Sequence, residues 1–350
     1  MNVRLKYVTL GVVAAVALTG GTYGLARNHS SSDRQSMPVP PTPAPFILAA
    51  DSHGSVVFDL ERNVIIGYDR AGKSVWQDAA MAKSAYVTCV ATCPNVVASG
   101  SLLDQNTVGE PRIVRSGAAV TTRANQNGVI LLEKEPGTRV ELDLQAANPA
   151  IISYQKGKQT QRFALPGPGM PQINPGPGGA LAVVSRSSSG TATFVVARRS
   201  AGWKITPVPD RTAQVGCAGP DVHAVASAER ATFVDELSGH TVVLDQPHIG
   251  ACHVAGTSLL AETMSTGPAG RNSVVRYWDV RKGTGWTVNS ADSVSSDLDP
   301  TGTKAVVVQG HVATIRTAED QQAVDGVVGA RYAEDGSLVL LHPDATVSRR

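Results

Sequence analysis

The side chains with the strongest intrinsic chemistry in this sequence are four cysteines, Cys89, Cys93, Cys217 and Cys252. An even count allows complete pairing, and four cysteines admit three connectivities. Cys89–Cys93 would close a small loop, whereas Cys217–Cys252 would join positions far apart in the chain. The competing chemistry is a metal site drawing on His223, His248 and His253. Cys-x3-Cys is not zinc-ribbon spacing, and no paired histidines follow it. The expectation is therefore disulfides, with no metal ligand assigned.

Other motifs are weaker. Asp297-Leu-Asp299-Pro-Thr-Gly302 has the opening spacing of a calcium loop, but a helical calcium loop ends in Glu, and that position here is Val308. It reads as a turn between strands. Ser, His and Asp are plentiful, yet there is no Gly-x-Ser-x-Gly elbow and no His-Glu-x-x-His. His53, His223, His240, His248, His253, His311 and His342 are scattered and read as turn or rim residues. Gly167-Pro-Gly169 and the stretch 175–179 are glycine-rich, but their prolines remove N–H groups an anion would use. Arg198-Arg199 and Arg349-Arg350 are too short for a nucleic-acid patch and read as solvated pairs. No catalytic residue and no cofactor are assigned. Few aromatics, 5% of residues, disfavour a sugar-binding platform.

The elements around these residues begin with an export signal. Arg4 and Lys6 precede Tyr7–Ala26, twenty residues without a formal charge. Twenty helical residues span about 30 Å, the thickness of a bilayer core. The flanking charge keeps residues 1–6 in the cytosol and sends the rest outside. A cleaved signal peptide is the alternative, with small-residue sites at Ala15-Val16-Ala17 or Gly24-Leu25-Ala26. Cys89 is the first cysteine after the segment, so a lipid-modified cysteine is excluded. Residues 27–45 are Ser-rich, then carry Pro38, Pro40, Pro41, Pro43 and Pro45, the composition of an extended spacer. Outside the cell membrane, paired cysteines are the default.

Residues 46–350 read as short strands. The chain has 34 Gly and 21 Pro, is 42% hydrophobic and only 17% charged, and carries a net charge of +2. Such a composition folds, resists long helices and gives no field for nucleic acid. Runs such as SVVFDL, HTVVLD and KAVVVQG are rich in β-branched residues and bounded by turn residues. A strand–turn–strand unit recurs at Asp69, Arg115, Gln155, Arg199, Asp235, Asp279 and Thr317. That spacing of about 41 residues is the WD40-like length of a four-stranded propeller blade. Asp69, Asp235 and Asp279 suit the turns as side-chain acceptors, and Gly72, Gly239 and Gly283 supply positive φ. Trp76, Trp203 and Trp286 follow the same turn, where a ring can dock on the next blade. The expectation is an all-β propeller of seven blades, with eight as the alternative if residues 329–350 form a blade of their own.

Asp69-Arg-Ala-Gly72-Lys73-Ser-Val-Trp76 resembles the tryptophan-docking turn of quinoprotein-like propellers of bacterial exported type, and Asp279–Trp286 is a looser copy. The resemblance implies a ring of seven or eight blades. It does not extend to the quinone or calcium constellation. The functional expectation is a non-catalytic, membrane-tethered propeller that binds an envelope or secreted protein. The alternative is a propeller enzyme (dehydrogenase, lyase or hydrolase).

Overall fold

The computed structural model describes residues 44–350 apart from short connecting segments, of which 100–111 is the longest. The N-terminal stretch 1–6, the expected anchor 7–26 and the spacer up to residue 43 lie outside the described residues. Among the described residues no helix is long and apolar enough to cross a membrane.

The described residues form eight antiparallel sheets. We number them as blades 1 to 8: 46–78, 86–123, 128–164, 172–208, 215–244, 249–290, 294–325 and 329–349. Blades 1 to 7 each have four strands in sequential order, and blade 8 has three. The fold is a β-propeller. Burial falls from the inner strands outward. The second strands are mostly buried, and Gly54–Asp59, Val222–Ala226 and Leu338–Leu341 are buried along their whole length. Near-continuous apolar runs are what a strand covered on both faces requires. The fourth strands are the most exposed, and Lys158–Ala164 and Gln321–Asp325 are almost wholly so.

No blade buries its faces alone. The apolar clusters lie in the joints between blades. Val140, Leu142 and Ile151 of blade 3 pack on Leu181, Val183 and Val195 of blade 4. Phe194 of blade 4 packs on Ala218 and Val225 of blade 5. Leu260 and Tyr277 of blade 6 meet Leu298 and Val307 of blade 7. Each fully buried Leu or Ile in such a joint stabilises the ring by about 1.5–3 kcal/mol.

Among the described residues, side-chain contacts and not a shared strand join blade 8 to blade 1. Ile47, Val57 and Ile66 of blade 1 pack on Val339 and Leu341 of blade 8. Arg349 donates from Nη1 to the Asp51 carbonyl at 2.7 Å and from Nη2 to the Gly54 carbonyl at 2.9 Å. Arg331 Nη1 donates to the Leu48 carbonyl at 3.0 Å, and Tyr68 Oη donates to the Ala345 carbonyl at 2.8 Å. Arg70 and Asp335 add an outer ion pair at 3.5 Å.

The sequence markers count seven, and the described residues form eight blades, the alternative that the sequence left open. Every marker sits at the turn after a third strand, and blade 8 ends at its third strand, Val347–Arg349, so it has no such turn. Arg349 is not solvated; the first turn of blade 1 supplies carbonyls that claim its guanidinium.

Both disulfides form, as Cys89–Cys93 and Cys217–Cys252. The second joins the first strands of blades 5 and 6, with Cα atoms 5.8 Å apart. The first holds the opening turn of blade 2, where the Cys93 N–H donates to Asp51 Oδ2 of blade 1 at 2.7 Å.

Arg349→Ala should destabilise the chain by about 1.5–3 kcal/mol, because it strands two carbonyls in the seam. Denaturant unfolding of the two chains measures this. Removing Cys217–Cys252 should cost about 3–4 kcal/mol by the loop-entropy relation, and removing Cys89–Cys93, which spans four residues, should cost less. Paired Cys→Ser variants compared by thermal unfolding give the order.

Candidate functional site

The turn residues singled out from the sequence are placed at the outer hairpins. Asp69 Oδ1 accepts from the Lys73 N–H at 2.9 Å. Asp235 Oδ1 accepts from the Leu237 N–H at 3.0 Å, and its Oδ2 takes the Ser238 hydroxyl at 2.7 Å. That hydroxyl holds the Asp235 carboxyl below its ordinary range. Asp279 Oδ1 accepts from the Lys282 N–H at 3.1 Å and from Thr257 Oγ1 at 3.2 Å. Gly72, Gly239 and Gly283 have φ of 78°, 70° and 65°, left-handed backbone that a Cβ resists.

The three tryptophans differ. Trp76 is buried, donates from Nε1 to the Pro94 carbonyl of blade 2 at 3.1 Å, and packs on Val96 and Ala98. Its ring lies flat on Gly67, where a Cβ would come within 2.2 Å of it. Trp286 is half-buried and stacks on Tyr277 of its own blade, with centroids 5.3 Å apart. The Arg316 guanidinium of blade 7 stands 5.2 Å from the same ring. Trp203 opens the strand Trp203–Val208, and its side chain lies outside the described residues.

The acidic loop is occupied by backbone. Asp297 Oδ1 takes the Leu298 N–H at 2.9 Å, and Oδ2 takes the Tyr332 N–H of blade 8 at 2.8 Å. Asp299 accepts from the Lys304 N–H at 2.6 Å and from Thr301. Among the described residues no three His, Cys, Asp or Glu side chains converge as a metal cluster.

Sequence reasoning missed a polar array that runs through the inner strands. Asn174 of blade 4 donates from Nδ2 to the Gly216 carbonyl of blade 5 at 3.1 Å and the Cys252 carbonyl of blade 6 at 3.0 Å. On blade 6, Glu262 is 8% exposed and accepts from Ser296 Oγ of blade 7 at 2.5 Å. Burial pushes its carboxyl up to about 7, against the pull of the Ser296 hydroxyl. His253 Nδ1 lies 3.4 Å from Asp297 Oδ1. Burial depresses the His253 imidazole, Asp297 opposes that shift and Arg331 adds to it. Glu262, Ser296, Asp297 and His253 thus gather at the joint of blades 6 and 7. Its one sequence signal was a Glu inside the apolar run Leu259-Leu260-Ala261-Glu262. His223 and His253 also depart from the expected turn or rim position. His223 is buried, and His253 lies on an inner strand.

An open cleft lies between the outer hairpins of blades 5 and 6. It measures about 330 Å³ and is lined by Phe233, Asp235, Ser238, His240, Thr257, Val280 and Arg281. The structure thus brings the Asp235–Gly239 and Asp279–Gly283 turns to one place, while Asp69–Trp76 belongs to the joint of blades 1 and 2. At the turn beside the cleft, Leu237 is 79% exposed, and Val243 farther along the hairpin is 52% exposed. Arg281 Nη2 lies 3.9 Å from Asp235, with its side chain largely in solvent.

No family model matches the chain, and no curated protein matches it. Solved structures do. The WD40 domain of SCAP from fission yeast superposes with a TM-score of 0.53 at 9% identity, covering 87% of this chain and 91% of that one. The dihydro-heme d1 dehydrogenase NirN superposes less closely, with a TM-score of 0.44 at 11% identity, covering 91% and 75%. The WD40 domain of Toxoplasma gondii coronin gives 0.42 at 12% identity, covering 81% and 83%. At such identities the likeness speaks to fold, and the SCAP superposition places this chain among proteins of β-propeller fold.

Proposed function

We propose that this chain is a non-catalytic propeller, tethered outside the cell membrane by residues 7–26, that holds a protein partner. The spacer 27–45 sets the ring off the bilayer. The quinoprotein-like resemblance belongs to this reading as a likeness of the Asp69–Trp76 turn. Fold alone does not assign a function. The observation that carries the reading is the exposed Leu237 beside a cleft floored by Phe233 and flanked by Arg281. An isolated exposed leucine needs no explanation, but one at the rim of a cleft beside an exposed guanidinium matches the anchor-and-charge make-up of protein interfaces.

Crosslinking in intact membranes, followed by recovery of the chain, tests this. The native chain should carry a reproducible crosslinked protein. Leu237→Ser combined with Arg281→Glu should lower its yield about tenfold, the effect of losing one buried leucine contact. Unchanged yield would remove the cleft from the interface. No crosslinked protein with the native chain would remove the partner-binding reading itself.

A further inference from the structure

We propose that the joint between blades 6 and 7 is a proton-operated latch, with the Glu262 carboxyl as its moving charge. Glu262 lies on the second strand of blade 6, Ser258–Gly267, in a wall that also carries Leu260. It reaches across the joint to Ser296, which donates to it from the hydroxyl and from the backbone N–H. The groups that face this region are few. From blade 7 come Ser296 and Asp297. From the first strand of blade 6 comes His253, against Asp297. From blade 8 come the Tyr332 N–H on Asp297 and Arg331, whose guanidinium is held by the Leu48 carbonyl. Farther out, Arg316 of blade 7 stands over Trp286 of blade 6. The remaining wall is apolar: Leu260, Val275, Leu298 and Val307.

The physical consequence follows from that inventory. A protonated Glu262 is neutral, fills the joint and keeps its bond to Ser296. When it ionises, the proton passes to solvent water. The carboxylate then has only the hydroxyl and N–H of Ser296 as donors, in an otherwise apolar wall near the carboxylate of Asp297. Burial and like charge both oppose that state. The joint relieves the penalty by opening to water. A carboxyl held above its ordinary value makes the folded chain bind more protons than the unfolded chain. Stability is therefore greatest below the unfolded-chain value, falls as pH rises toward the folded value of about 7, and is flat above it. The same opening separates Arg316 from the Trp286 ring, so the latch carries its own optical reporter.

The test uses the full chain in detergent between pH 5.5 and 8.5. The native thermal midpoint should fall across this range relative to Glu262→Gln by about 3–8 °C. Below the melting range, Trp286 emission, read as the difference between the native chain and Trp286→Phe, should titrate with a midpoint near 7. A Glu262→Gln chain with the same pH dependence as the native chain would overturn the proposal, and so would a Trp286 signal that does not titrate. If Glu262→Gln does not fold, Ser296→Ala decides. It removes the side-chain donor that favours the ionised carboxyl and leaves the backbone N–H, so the Trp286 titration should move to higher pH; an unmoved midpoint overturns the latch.

Discussion

The structure depends on one constraint: every blade must find a neighbour on both faces. A four-stranded sheet of β-branched residues has two apolar faces and too little chain to cover either. Arranging the sheets radially covers them, provided that the last sheet meets the first. Among the described residues that meeting is made by side chains and not by a strand shared between blades 8 and 1. Blade 8 packs on blade 1 through Ile47, Val57, Val339 and Leu341, and Arg349 ties the seam to two backbone carbonyls. The core of this protein is thus a circle of joints.

The joints also explain where the polar chemistry went. Polar side chains with the means to bind a ligand are engaged across or beside joints. Asp51 holds the Cys93 N–H, Asp297 holds the Tyr332 N–H, and Asn174 spans three blades. A buried donor or acceptor must be satisfied, and in a ring the nearest partner is on the next blade. Cys217–Cys252 applies the same rule covalently. Glu262 differs from the others because both of its donors come from one residue, Ser296, and burial still holds its carboxyl above the ordinary range.

Much of the fold was legible because it is local. The strand runs, the Asp–Gly turns and their period of about 41 residues depend on backbone rules that act within one hairpin. The blade count was less legible because Thr317 marks the last third-strand turn and blade 8 has no such turn to mark. Joint contacts were legible only at Trp76, which docks on blade 2, and at the Cys217–Cys252 pair. Arg349 and Gly54 are separated by 295 positions, and nothing in either neighbourhood announces the other. Of the candidate surface, the sequence identified Asp235, Gly239, Asp279 and Gly283 as turns. Only the packing of blade 5 on blade 6 shows that these turns flank one cleft beside Leu237.

The closed circle itself can be measured by denaturant unfolding read at two tryptophans. Trp76 reports the joint of blades 1 and 2, and Trp286 reports that of blades 6 and 7, each isolated by comparison with its Trp→Phe variant. A ring whose blades all lean on two neighbours predicts one transition, coincident for both reporters. Two separate midpoints would mean that the blades unfold as independent stacks, and would contradict closure through the seam of blades 8 and 1.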